Sequence, residues 1–330
     1  MNVGLIGYGY WGPKIARNLL QHKGCFIKAI ADIDPTKLVN ANDALPEVST
    51  TLKTEEIFSD PDIDSVVISS YSSTHYALTK RALECGKNVL VEKPLSTTVK
   101  QGEELTELAK KQGVTLMVDH TYLYSNAVLE IKKLLGTTGF EQLRMIESNR
   151  SNFGFMRSDV NVLYDLATHD VSILTYLLEK LPISVRATGF KLNGNLEQIA
   201  QLYLTYENNC QASVYCSWVS PHKVRKMNFV GERRTICFDD LNADNMVEIF
   251  DNQTYWTPPT GKDVLLDASV QRTSLYIKFD EPLFKMIGDF TNAVRLKTTP
   301  RSNMYLATDV IRVLEKACES MAQGGKEILI

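Results

Sequence analysis

A chain of 330 residues, 44% of them hydrophobic and 9% aromatic, is long enough for two domains, each with its own core, and has the composition of an ordinary globular protein. Its 36 lysines and arginines nearly match its 39 aspartates and glutamates and form no basic run, which argues against nucleic acid and leaves a small molecule as the default partner. No apolar stretch is long enough to span a membrane, the six cysteines are scattered without a CxxC pair, and Met1 to Ile6 reads as a buried strand rather than a leader, so a cytoplasmic protein is expected.

From Met1 to about His120, short apolar runs alternate with helical stretches. Val3–Ile6, Phe26–Ala31, Ser65–Ser69, Asn88–Val91 and Thr115–Val118 are rich in Val, Ile or Leu, as strands buried on both faces are. Helices are expected at Pro13–Gln21, Thr54–Phe58, Thr74–Glu84 and Thr98–Gln112, the last two stopped by Gly86 and Gly113. This alternation predicts βαβ units on a parallel sheet, a Rossmann-type α/β domain over residues 1–120.

Gly7-Tyr8-Gly9-Tyr10-Trp11-Gly12 follows the first strand and opens the first helix, the context in which G-x-G-x-x-G binds a dinucleotide. Gly7 permits the tight turn, Gly9 lets the backbone approach a pyrophosphate, and Gly12 lets helix and strand pack closely. Asp32 ends the second strand, where a carboxylate can accept hydrogen bonds from ribose hydroxyls. That favours NAD, because the 2′-phosphate of NADP would meet like charge. A plain surface aspartate would look the same.

Glu92-Lys93-Pro94 follows the strand Asn88–Val91, so Lys93 emerges at the carboxyl edge of the sheet, where open α/β sheets bind ligands; a solvated lysine is the alternative. After a helix at about Ser125–Leu135, strands alternate apolar and polar residues. Gln201–Tyr206 pairs with Gln211–Trp218 across Glu207-Asn208-Asn209, and Lys226–Val230 with Thr235–Phe238 across Gly231-Glu232. Residues 121–330 therefore read as an α+β domain with a large, mostly antiparallel, open-faced sheet. Leu202, Leu204, Val214 and Trp218 on its alternate positions are expected to leave an apolar face that a second copy covers, making a homo-oligomer.

Asp165 and His169 stand four residues apart at the start of a helical pattern, a spacing that puts both on one face. Oxidising an alcohol requires a base for the hydroxyl proton, and histidine titrates near neutrality. A pair merely capping a surface helix is the competing reading. No third metal ligand stands at a recognisable spacing, so no metal is expected.

Gly7-x-Gly9-x-x-Gly12, Glu92-Lys93-Pro94-Leu95 and Asp165-x-x-x-His169-Asp170, in this order, resemble the glucose–fructose oxidoreductase / inositol dehydrogenase / MocA family of nicotinamide-dependent oxidoreductases over essentially the whole chain. The resemblance implies a catalytic trio of Lys93, Asp165 and His169. It implies cofactor contacts from Gly7, Tyr8, Gly9, Tyr10, Trp11, Gly12, Asp32, Glu92 and Lys93, with Ser70, Ser72 and His75 along the nicotinamide half, and a cis bond before Pro94. For His75, an imidazole satisfied by backbone is the alternative. Many relatives carry Asn-x-Arg where this chain reads Asp119-His120-Thr121-Tyr122-Leu123-Tyr124. His120, Tyr122 and Tyr124 are candidates for the substrate pocket, or the tyrosines are interface or core aromatics. Arg150, Asn152 and Arg157 could reach a phosphate or carboxylate of the substrate, or be ordinary surface residues.

The expected activity is hydride transfer between NAD and a secondary alcohol of a sugar, cyclitol or nucleotide-linked sugar. The alternatives are an NADPH-dependent keto-sugar reductase and a non-catalytic NAD-binding regulatory protein.

Overall fold

The computed structural model describes residues 1–137, 140, 143–192, 194–251 and 271–330. They form two compact units, Met1–Tyr124 with Glu281–Arg312, and Ser125–Asp280 with Val313–Ile330.

In the first unit the elements run β1 (Asn2–Ile6), α1 (Gly12–Gln21), β2 (Phe26–Ala31), α2 (Pro35–Ala44), β3 (Ser49–Thr51), α3 (Thr54–Ser59), β4 (Ser65–Ile68), α4 (Ser72–Glu84), β5 (Asn88–Glu92), α5 (Val99–Gln112) and β6 (Leu116–Asp119). The sheet is wholly parallel, in the order β3-β2-β1-β4-β5-β6. The strand order reverses between β1 and β4, and a crevice for ligand opens beyond the carboxyl ends there. Ile6, Val66, Ile68, Val89, Val91 and Val118 are buried in the core because helices cover both faces of such a sheet.

Two elements within 1–120 go beyond the expected strands and helices. The helix α2 starts at Asp34, whose side chain accepts from Thr36 N, with Pro35 in the first turn, a cap signal with little amphipathic pattern behind it. The strand β3 is three polar residues at the sheet edge. The single boundary at 120/121 also differs from the structure, because Glu281–Arg312 returns to the first unit. There α8 (Pro282–Leu296) buries Leu283, Met286, Ile287 and Phe290, and Ala307 and Ile311 of α9 (Met304–Ala322) join the core.

The second unit contains α6 (Asn126–Leu135), β7 (Met145–Phe153), a π-helical turn (Leu163–Ala167) leading into α7 (Thr168–Leu178), then β8 (Ser184–Phe190), β9 (Ile199–Thr205), β10 (Gln211–Ser217), β11 (Val219–Val230), β12 (Arg234–Asp239), β13 (Val247–Asp251), β14 (Gln271–Leu275) and β15 (Ile328–Leu329). Its nine-stranded sheet has the order β14-β13-β12-β11-β7-β10-β9-β8-β15. Both expected hairpins are present, β9 with β10 and β11 with β12. Every pairing is antiparallel except β7 with β10.

The expectation of an uncovered apolar face on Leu202, Leu204, Val214 and Trp218 is corrected. They are at most 1% exposed, inside the unit's own core, with the π-helical turn packed on β7 and β10. The opposite face, where Glu147, Ser213, Tyr203 and Arg186 stand side by side in register, is polar with tyrosines. Alternation identified two faces but not which one the helices cover.

Candidate functional site

The glycine turn between β1 and α1 is shaped by three different demands. Gly7 has φ +95°, and a Cβ there would lie 2.7 Å from the Ser69 carbonyl carbon. A Cβ on Gly12 would lie 2.5 Å from Gly7 O, whereas one on Gly9 would meet no atom within 4 Å. The space above Gly9 is the cradle that a pyrophosphate needs, beside the unpaired N–H groups of the α1 N-terminus. Gly9→Ala is therefore expected to weaken NAD binding at least tenfold with no fall in Tm, whereas Gly12→Ala should cost about 1–3 kcal/mol of stability. Isothermal titration and thermal melts check this contrast.

The residues between the glycines divide. Tyr8 is buried, and burial pushes its phenol pKa up. Tyr10 and Trp11 are 76% and 41% exposed, and the Lys14 ammonium lies 3.5 Å and 4.4 Å from their ring centroids, a cation–π arrangement beside the phosphate cradle. Asp32 is half-buried; Oδ2 accepts from Tyr8 N at 2.7 Å and Oδ1 from Asp34 N at 2.9 Å. The carboxylate thus braces the glycine turn, and each oxygen keeps a further lone pair for a ribose hydroxyl.

Beyond β4, Ser70 Oγ lies 2.7 Å from Thr74 Oγ1, and Ser72 is buried in the first turn of α4. His75 is 1% exposed, with Nδ1 2.7 Å from Pro94 O and Nε2 3.2 Å from Ser70 O. The backbone-satisfied reading is the one the structure has. His75 ties the loop after β4 to the loop after β5, and a neutral ring donates to one carbonyl at a time. Lys93 is half-buried at the carboxyl edge of β5, and its bond to Pro94 is cis. Glu92 is buried, as are His120 and Asp119 at the end of β6. Burial first, then the Lys93 charge, pushes the His120 pKa down to about 3, so this imidazole is neutral at physiological pH.

Tyr122 is half-buried, whereas Tyr124 is 2% exposed, its hydroxyl donating to Asp289 Oδ2 at 2.7 Å and accepting from Ser302 N at 3.2 Å. Tyr124 is a core aromatic of the first unit rather than a pocket residue. Its hydroxyl is fully engaged where the chain returns from α8.

In the second unit, Asn161 Oδ1 accepts from Leu163 N at 3.2 Å and Tyr164 N at 3.4 Å, capping the π-helical turn. Asp165 lies in that turn and His169 in the first turn of α7. They do not share one uninterrupted α-helix, as the spacing had implied. Such π turns recur at functional sites because they re-aim side chains. Asp165 Oδ2 accepts from Trp218 Nε1 at 2.8 Å. Trp218 thus fixes the Asp165 carboxylate, a polar contact that strand alternation alone does not signal.

Arg150, a candidate for contact with a substrate phosphate or carboxylate or else a surface arginine, is buried and donates to the Asp170 carboxylate, next to His169, through Nε at 2.8 Å and Nη2 at 3.1 Å. The pair is buried, at 5% and 2% side-chain exposure. Arg157 pairs with Asp159, Nε to Oδ1 at 2.9 Å, and Asn152 is half-buried near the end of β7.

Residues 1–120 match the family described as oxidoreductase family, NAD-binding Rossmann fold (GFO_IDH_MocA). Residues 131–237 match the GFO/IDH/MocA C-terminal domain. The chain belongs to this family.

The first unit is thus the NAD-binding Rossmann domain of a Gfo/Idh/MocA protein, and Gly9 provides the open cradle. Among curated relatives, the chain is 35% identical over 179 residues to the uncharacterized oxidoreductase YdgJ of Escherichia coli K12, covering 51% of each chain. It is 27% identical over 234 residues to scyllo-inositol 2-dehydrogenase (NADP(+)) IolW of Bacillus subtilis 168, covering 67% of this chain and 64% of that one. The matches thus span about half the length of the first relative and under two thirds of the second. The structure of UDP-N-acetylglucosamine 3-dehydrogenase GnnA from Acidithiobacillus ferrooxidans superposes with a TM-score of 0.84 at 21% identity, over 98% of both chains. That likeness shows a shared fold.

Proposed function

We propose that this protein is an NAD-dependent dehydrogenase acting on a secondary alcohol of a sugar, cyclitol or nucleotide-linked sugar, with Lys93, Asp165 and His169 as its proton relay. The observation that carries the reading is the half-buried Lys93 at the carboxyl edge of an NAD-binding Rossmann sheet, where ligands of such sheets bind. Support for the substrate class comes from the relatives' names, an inositol dehydrogenase and a UDP-sugar dehydrogenase. A bound nicotinamide would supply the hydride acceptor for the alcohol carbon. The chain's own groups hold and move the proton: His169 or Lys93 takes it from the hydroxyl, and Asp165, oriented by Trp218, supports the charged form. His120, Tyr122, Asn152 and Arg157 are the remaining candidates for substrate contacts.

The test is reduction of NAD, and separately of NADP, against a panel of cyclitols, free sugars and nucleotide sugars, repeated with His169→Ala. Asp32 favours NAD, so NAD should raise Tm more than NADP at equal concentration, because a ligand of the folded state alone stabilises it. Turnover on none of the panel, or a His169→Ala variant as active as the parent, would refute the relay. A homo-oligomer through the polar face of the second unit's sheet is also proposed, since Tyr203 there is 54% exposed. Light scattering should give a multiple of 37.1 kDa, reduced towards a single chain by Tyr203→Glu.

A further inference from the structure

Glu92 and Asp119 are the last residues of β5 and β6 and stand opposite each other in register. Both are buried, at 8% and 3% exposure, and their carboxyls are within hydrogen-bonding reach of each other. Two carboxylates this close in a dry setting cannot both stay ionised. The groups facing the pair are Lys93 beside Glu92, neutral His120 beside Asp119, and Thr121, whose hydroxyl donates to Asp119 Oδ1. Of these, Lys93 alone is cationic.

The two carboxyls are not equivalent. Burial pushes the Asp119 pKa up as well, but Asp119 accepts from the Thr121 hydroxyl and backbone N–H and from Glu92, contacts that favour its anion and oppose that rise. Glu92 Oε1 has no hydrogen-bond partner among the described residues. Burial first, and then the Asp119 charge, push the Glu92 pKa well above the usual carboxylate range, with Lys93 acting the other way.

We propose that Glu92 and Asp119 hold one proton between them, donated by Glu92 to Asp119, and so act as a positioning pair that presents Lys93 with a single negative charge. The proposal rests on the reading of Lys93 as part of the relay. Neither carboxyl touches the substrate in this scheme. The pair keeps the cluster neutral, so the lysine is neither over-stabilised by two anions nor left without a counter-charge.

The sign of the pH dependence follows from the direction of the Glu92 shift. A carboxyl whose folded pKa is raised contributes stability that is fully present below its unfolded value, near 4.3, and lost as pH rises through the folded value. Glu92→Gln is neutral at every pH and escapes that loss. Its Tm should therefore gain on the parent by about 2–4 °C more at pH 8 than at pH 5. In infrared difference spectra of the full chain at pH 7, the parent should show the C=O stretch of a protonated carboxyl that Glu92→Gln lacks. In Asp119→Asn, with the like charge gone, that band should titrate away at lower pH, which keeps the test open if Glu92→Gln folds poorly.

Either single variant still leaves one carboxyl able to carry the negative charge, and the double variant leaves none. The acid limb of the kcat profile should accordingly move to lower pH in the double variant by about one unit more than the single shifts combined. No protonated-carboxyl band in the parent, a band that survives Glu92→Gln, or additive shifts would each overturn the proposal. Should the band behave as stated while Lys93→Met keeps its activity, the relay reading fails and the shared proton stands.

Discussion

Lys93→Met is expected to lower kcat by about 10²–10⁴-fold, the range that a positioned proton-transfer group supplies. Methionine keeps the unbranched stem and removes only the ammonium, so the packing of the half-buried side chain at the end of β5 is largely retained. A group acting in the transition state is missed in kcat and in kcat/KM together, whereas one that only binds is missed in KM. His169→Ala should lose a similar factor. The decisive measurement is the double variant, because a relay broken once is not broken further by a second cut. Steady-state NADH formation by the double variant should fall within about tenfold of the slower single variant. Losses that multiply would show that the two residues act independently, and the relay would be abandoned.

Arg150→Met carries the largest expected effect on stability. Its guanidinium makes two hydrogen bonds, at 2.8 and 3.1 Å, to Asp170, and both side chains are almost wholly removed from water. Removing one partner of such a pair leaves an uncompensated charge in the core, which costs about 3–5 kcal/mol. For a chain of this size that is a fall in Tm on the order of 10 °C. Replacing both partners by apolar residues of similar volume removes the stranded charge, so Arg150→Met combined with Asp170→Leu should recover most of the loss. Because Asp170 follows His169 in the first turn of α7, the single variant should also lose activity at temperatures where it remains folded. A melt within 2 °C of the parent's would mean that the pair contributes little net stability.

Which parts of this protein could be read from its residues follows from how local the signals are. The glycine turn, the runs Val3–Ile6 and Asn88–Val91, the stops at Gly86 and Gly113, and the two hairpins of the second unit all depend on neighbours in sequence, and all appear in the structure. The helix α2 was missed although Asp34-Pro35 is a cap, because its pattern is weakly amphipathic. The lone edge strand β3 was missed because three polar residues carry no periodicity. For Arg150 and Tyr124 the residues leave alternatives open for a different reason. Their partners, Asp170 and Asp289, lie 20 and 165 positions along the chain, and nothing local to either residue announces them.

The identity of the cofactor domain and the kinds of residue available for its chemistry were determined by sequence alone, since glycine steric demands and strand-to-turn order act over a few residues. Tertiary structure decided which of those residues are engaged elsewhere. It turned Arg150 from a ligand candidate into an internal counter-ion, set Trp218 against Asp165 and placed Glu92 beside Asp119. The reason is dielectric as much as geometric: a charge or polar group gains its meaning from what surrounds it once water is excluded, and that neighbourhood exists only when distant segments have packed.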